Sequence, residues 1–302
     1  MFLSNFLYSQ LWAACSLSGL ILEDGEIASS PKAARFYQQA GFSGPVHTFC
    51  GGPSQIDAGL MGFSQGNLIM AFRGTTSQGE DWANDFRSQL VPLKGCGHVH
   101  EGFLSSVYSL LKPMADQIPS FLSLHPSHFY LTGHSKGGAV AILMAHQLAD
   151  LFPSLPSPAV ITFGAPRPGD PAFAECYSIP LIRVESCRDL VVHLPMTAWE
   201  CSQLNEQSLH GKTFLEDIPL IRRLGTFLTK PVCGYASPGF LAPICPDKKI
   251  GPAHMAALPL NILSGAEERS FSRSSFRRLL NELADGGDLT RLADWHKKDY
   301  GF

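Results

Sequence analysis

Charge is scarce in this chain. Asp, Glu, Lys and Arg together make up 16% of its 302 residues, against about 25% in an ordinary domain. The few charges sum to −3, so there is no basic field to hold a phosphate backbone, and nucleic acid is excluded as the main partner. Metal-type cysteine spacing is also missing. The 8 cysteines contain no C-x-x-C and form no Cys/His cluster of zinc-finger spacing, so no metal or cofactor is called for. An even count permits disulfides, but a chain this long is stable without them, and mostly free, buried thiols are expected. Long uninterrupted apolar runs are lacking too. Met1 to Leu22 carries no side-chain charge, yet Ser4, Asn5, Ser9, Gln10, Ser16 and Ser18 break it up, short of the ~18 continuous apolar residues of a spanning helix. No basic residue precedes Lys32, which argues against a secretory leader despite the faint lipoprotein-like Ala13-Ala14-Cys15. A helix packed on the core is the expectation there. For localisation this leaves the cytoplasm or a specialised export route.

What is present is apolar mass. Hydrophobic residues are 45% of the chain and Phe occurs 20 times, enough for a large core and incompatible with intrinsic disorder. There is no internal repeat. Short apolar runs bounded by turn residues alternate with longer helical stretches, the pattern of an α/β fold. Strands are expected at Asn67–Phe72, His128–Leu131, Val160–Phe163, Leu181–Val184 and Gly239–Cys245, and helices at Phe103–Ile118 and Gly137–Phe152. Ser274–Ala284 places Phe276, Leu279, Leu280 and Leu283 at i, i+3, i+4, i+7, an amphipathic helix. The basic residues Arg269, Arg273, Arg277 and Arg278 sit among Glu267, Glu268 and Glu282 and read as a solvated helix face. Residues 1–302 are expected to form one domain, with the irregular stretch 198–231 an insertion or cap on it.

The chemistry concentrates at Gly133-His134-Ser135-Lys136-Gly137, which follows an apolar strand and opens a helix of small residues. This is the G-x-S-x-G nucleophile elbow. Its serine occupies a strained backbone position, and glycines on both sides let strand and helix approach without side-chain clash. The turn exposes the serine oxygen and aims the next backbone N–H, that of Lys136, at a developing oxyanion. A second oxyanion donor on such a scaffold comes from the loop after an early strand. Phe72-Arg73-Gly74-Thr75 ends one, and Thr75 offers both a backbone N–H and a hydroxyl.

Asp81-Trp82-Ala83-Asn84-Asp85, Val99-His100-Glu101-Gly102-Phe103 and Thr162-Phe163-Gly164-Ala165-Pro166-Arg167-Pro168-Gly169 complete an ordered set of motifs. In that order and composition the chain resembles the class 3 lipase family of fungal triacylglycerol lipases and their bacterial and plant relatives. The resemblance is close over roughly residues 60 to 195 and loose elsewhere. It implies an α/β-hydrolase fold: a mostly parallel central sheet flanked by helices, with an insertion after the acid-bearing strand. It implies a serine-dependent carboxylic-ester hydrolase acting on lipid esters, with transient contact at a membrane surface or micelle. It also implies a Ser-Asp-His triad in that chain order. Asp189, in Asp189-Leu190-Val191-Val192-His193-Leu194-Pro195, fits the family's acid position, with Val192 where proline is usual. Asp170 and Asp217 are weaker rivals.

The histidine is less clear among the 11 present. His134 belongs to the elbow, His100 to a structural family position, and His193 follows the acid too closely. His296, in Asp294-Trp295-His296 near a tyrosine, is preferred as the base. His254, in the proline-bounded Gly251-Pro252-Ala253-His254, is its rival, and His210 a remote third. Lys136 replaces an apolar residue often found after the nucleophile, and its ammonium is expected to face solvent rather than an anionic headgroup. Ser77 to Leu90 corresponds to the family's lid and is polar apart from Trp82, Phe86 and Leu90, so strong activation at an oil interface is not expected. The insertion's Ile218, Leu220, Ile221, Leu224, Phe227 and Leu228 either cover an acyl chain or pack on the sheet. Two other activities share the motifs: acyl transfer to an alcohol, and binding without hydrolysis, as in some signalling relatives of the family.

Overall fold

Asn67–Phe72 (β3) alternates its side chains between two apolar layers, because it is buried on both faces. Leu68, Met70 and Phe72 join one core cluster, and Ile69 and Ala71 the other. That double burial is why the run carries no polar alternation. The computed structural model describes residues 5–20, 31–52, 56–74, 89–187, 189–209, 234–244 and 265–284, and most of the expected 77–90 lid and most of the expected 198–231 insertion lie outside them.

Among the described residues the main sheet has seven strands in the order β1 (Val46–Gly51), β2 (Asp57–Ser64), β3, β6 (His128–His134), β7 (Pro158–Phe163), β8 (Leu181–Ser186) and β9 (Phe240–Ile244). The β1–β2 and β2–β3 pairs are antiparallel, and β3, β6, β7, β8 and β9 run parallel. This is the expected mostly parallel sheet. A two-stranded ribbon, β4 (Leu90–Pro92) with β5 (His98–His100), stands beside it.

Helices α3 (Glu101–Ala115) and α5 (Lys136–Leu151) cover one face, with α4 (Ile118–Leu122) following α3. The other face is covered by α1 (Asn5–Leu20) and α2 (Pro31–Gln39). α1 packs against β2, β3 and β6, with Leu11, Ala14 and Ser18 fully buried. Its lack of charge is thus that of a core helix, as expected from the sequence. No described helix is long and apolar enough to cross a membrane. Short α6 (Pro171–Cys176) precedes β8, α7 (Ala198–Leu209) follows the segment after it, and α8 (Gly265–Ala284) comes after β9.

Two expectations need correction. The cysteines are not mostly free thiols: Cys96 and Cys176 form a disulfide that ties the β4–β5 ribbon to α6, and Cys201 is also disulfide-bonded. Cys15, Cys50 and Cys187 remain thiols outside any disulfide. Nor is the charged face of α8 simply solvated. Glu268 reaches across to Arg183 of β8, and Arg273 and Arg277 lie over the Trp199 ring at 5.0 and 5.6 Å.

Candidate active site

The parallel strands end on one edge of the sheet, where ligands collect in open α/β folds. β6 runs straight into the elbow. Ser135 caps α5 with φ 53 and ψ −132, a left-handed conformation that a non-glycine residue holds only when its surroundings enforce it. The enforcement is visible. The Ser135 N–H donates to the Phe163 carbonyl at 3.0 Å, and the Ser135 carbonyl accepts from the Gly138 N–H at 2.9 Å. A Cβ on Gly133 would lie 2.1 Å from the Gly137 backbone, and one on Gly137 would lie 2.1 Å from the Phe72 carbonyl oxygen. Only glycines allow strand and helix to pass this closely.

Gly74, next to the expected oxyanion donor Thr75, packs closely against this turn. A Cβ on Gly74 would lie 2.9 Å from the His134 carbonyl oxygen and 3.3 Å from Ser135 Cβ. Thr75 itself is outside the described residues. Lys136, by contrast, does not face solvent. Its Nζ lies 3.2 Å from Asp57 Oδ1, with 12% of the Lys136 side chain and 10% of the Asp57 side chain exposed. This overturns the expectation of a solvent-facing lysine: the ammonium is paired with Asp57 inside the molecule.

Asp189 lies just beyond β8 on the same edge as Ser135, fully buried. Its N–H donates to the Ser186 carbonyl at 3.2 Å, and its Oδ1 accepts the Val191 N–H at 2.8 Å. A carboxylate fixed this way has little freedom to reorient. The rival Asp170 is occupied elsewhere: it caps α6 by accepting the Phe173 N–H at 2.7 Å and lies 3.0 Å from His98 Nδ1. The structure brings Ser135, Lys136 and Asp189 to one edge, and His296, His254, His210 and Asp217 fall outside the described residues.

Two histidines are accounted for. His100 caps α3, its Nδ1 accepting the Phe103 N–H at 3.4 Å. Burial first, and then the Lys136 charge, push its imidazole down to about 3, so it stays neutral. His193 is buried 2.7 Å from Glu200 Oε1 and 3.1 Å from Ser275 Oγ, beside a polar cavity of about 320 Å³ whose described lining does not include Ser135.

The motif reading did not anticipate the clamp behind Asp189. Arg167, from the Gly164–Gly169 signature, pairs both its terminal nitrogens with Glu200 at 2.7 and 2.9 Å. It also donates to the His193 and Pro195 carbonyls at 2.5 and 3.0 Å. Burial alone would raise the Glu200 carboxyl, but the Arg167 charge and the His193 contact outweigh it and lower it to about 2. The guanidinium thereby fixes the loop that leaves Asp189.

A family model described as lipase (class 3) matches residues 69–199. A lipase of Rhizopus niveus is 36% identical over 148 residues, 43% of this chain and 35% of that protein. Phospholipase A(1) DAD1 of Arabidopsis thaliana is 29% identical over 151 residues, 43% of this chain and 34% of that protein. The chain thus spans about a third of the length of these curated relatives. Among solved structures, the lipase from Rhizopus microsporus var. chinensis superimposes with a TM-score of 0.59 at 22% identity, over 89% of this chain and 81% of that one, which shows a shared fold. Motifs, sheet order and elbow agree with these similarities: residues 69–199 match the class 3 lipase model, and the chain shares the fold of the fungal lipases.

Proposed function

We propose that the protein hydrolyses carboxylic esters of lipids, as a lipase or phospholipase, through an acyl-enzyme on Ser135. The observation that carries this reading is the Ser135 turn, a serine held at φ 53 between glycines with the buried Asp189 at the end of a strand on the same edge. A histidine oriented by Asp189 takes the Ser135 proton as the oxygen attacks the ester carbonyl. The tetrahedral oxyanion is received by the Lys136 N–H and by the Thr75 N–H and hydroxyl. The imidazolium then protonates the departing alcohol, and water attacks the acyl-serine by the same route. His296 is proposed as that histidine and His254 as its rival. Relatives named as a lipase and as a phospholipase A(1) support both neutral and phosphate-bearing substrates, which would be met at a membrane or micelle surface. The 77–90 segment is proposed as the lid, and 198–231 as an insertion or cap.

The disulfide Cys96–Cys176 and the bonded Cys201 support residence in an oxidising compartment, and so export. A panel of triglycerides, phospholipids and p-nitrophenyl esters, assayed with and without added alcohol, tests the function. Fatty-acid release from at least one lipid supports it. Acyl esters of the alcohol as the main product would make the protein a transferase, and no turnover of any ester would refute the reading.

A further inference from the structure

The three residues Ile56-Asp57-Ala58 touch both sides of the proposed oxyanion hole. Toward one side, the Ala58 carbonyl accepts the Arg73 N–H at 2.9 Å, and the Ile56 carbonyl accepts from the Arg73 guanidinium. Arg73 stands two residues before Thr75. Toward the other side, Asp57 Oδ1 holds the Lys136 ammonium at 3.2 Å. The second oxygen of Asp57 is engaged as well. Ser109 of α3 places its hydroxyl 2.8 Å from Asp57 Oδ2 and also 2.8 Å from the Ser106 carbonyl. Its single proton favours the carboxylate, the stronger acceptor. One short segment therefore links the loop carrying one oxyanion donor to the residue carrying the other.

We infer that Asp57, held by Ser109, is a positioning residue for the oxyanion hole, acting through its ion pair with Lys136. The inference rests on the reading of Ser135 as nucleophile and of the Lys136 N–H as an oxyanion donor. Oxyanion donors work only at about 2.7–3.1 Å from the developing charge, and a misplacement of about 1 Å can cost roughly 100-fold in rate. An apolar side chain after the nucleophile would pack without direction. The Lys136–Asp57 pair instead fixes the side chain at a definite point on β2, next to the Arg73 anchor. The pair is largely buried, with 12% of the Lys136 and 10% of the Asp57 side chain exposed, so its loss should appear in the chemical step and not in ground-state binding.

The test uses the full chain and a soluble p-nitrophenyl ester. Asp57→Asn should lower kcat by about 10- to 100-fold with KM changed by less than about threefold, and Asp57→Glu should recover part of the loss. A trifluoromethyl ketone, which adds to the serine as an oxyanion, should bind Asp57→Asn more weakly by the same factor as the fall in kcat/KM. Ser109→Ala should give a smaller loss, on the order of threefold to tenfold in kcat. If Asp57→Asn does not fold, as judged by circular dichroism, Ser109→Ala decides alone. A kcat within twofold of wild type in the deciding variant overturns the inference, as does a lost kcat with unchanged ketone affinity. If the wild type itself turns over no ester and Ser135 takes no fluorophosphonate label, the hydrolase reading fails before the positioning role is reached.

Discussion

Replacing Arg167 by Met removes the clamp behind Asp189 while keeping a side chain of similar reach. The Arg167 and Glu200 side chains are 8% and 3% exposed, so water cannot take over the pairing. Stranding one partner of a buried ion pair costs about 3–5 kcal/mol. Losing the bonds to the His193 and Pro195 carbonyls belongs to the same disruption. A loss of about 4 kcal/mol in a chain of 302 residues corresponds to a Tm lowered by roughly 6 °C, taking an unfolding entropy of ~2 cal/mol/K per residue. The loop leaving Asp189 should also shift, and kcat should fall by roughly 10- to 100-fold. Calorimetry and ester kinetics on the same preparation measure both. The double variant Arg167→Met/Glu200→Leu separates them: removing the stranded carboxylate should restore most of the stability, while kcat stays low because the two carbonyl anchors are still missing. A single variant within about 1 kcal/mol of wild type, or one that loses stability with kcat intact, would refute the clamp.

Three further outcomes are expected. In a matched pair of alanine variants, His296→Ala should abolish turnover of a soluble ester and His254→Ala should keep it, and the reverse result would move the base to His254. Thr75→Val should lower kcat by roughly 100-fold, the cost of one side-chain oxyanion donor, whereas a change in KM alone would make the hydroxyl a binding group. His100 is neutral in the folded protein down to about pH 3, while the unfolded chain protonates its histidine below about 6.5. The unfolded state therefore binds more protons in that window, and stability should fall on acidification from about pH 6.5 toward 3, by up to roughly 4–5 kcal/mol. Urea melts of His100→Gln should show a flatter slope there, and an unchanged slope would acquit His100.

The parallel half of the sheet was legible because its strands are short apolar runs between turn residues. Asn67–Phe72 matches to the residue, and Leu181 and Phe240 begin or lie within strands as expected. β6 was read too short. Its ladder continues through Thr132 and Gly133 to His134, residues whose types speak for the elbow and not for a strand. The β1–β2 pair carried no clear signal because glycines interrupt it, and the reason is packing: a Cβ on Gly62 would lie 2.4 Å from the Phe42 ring, and one on Gly59 would lie 2.7 Å from Phe49. The ring that fills the space belongs to another segment, so alternation within β2 cannot reveal it.

At the candidate site, the strained turn at Ser135 is legible from its local motif, and the position of Asp189 after a strand follows from the family resemblance. The partners of Lys136, Arg167 and Glu268 were not legible. Asp57, Glu200 and Arg183 are joined to them only by the fold, at separations over which neither periodicity nor motif spacing carries information. Helix α8 also begins at Gly265, nine residues before the expected start at Ser274. Its first turns carry Glu267, Glu268 and Arg269 and are held partly by the Arg183 ion pair, which no hydrophobic periodicity marks.

The central claim is that the elbow activates Ser135, and covalent labelling addresses it most directly. Native protein treated with a fluorophosphonate and mapped by mass spectrometry should carry one adduct, on the peptide containing Ser135, and should lose ester hydrolysis in proportion. Ser135→Ala should take no label and should fall by about 10⁴-fold or more in kcat. A label on another serine, no label on native protein, or near wild-type turnover by Ser135→Ala would contradict the account.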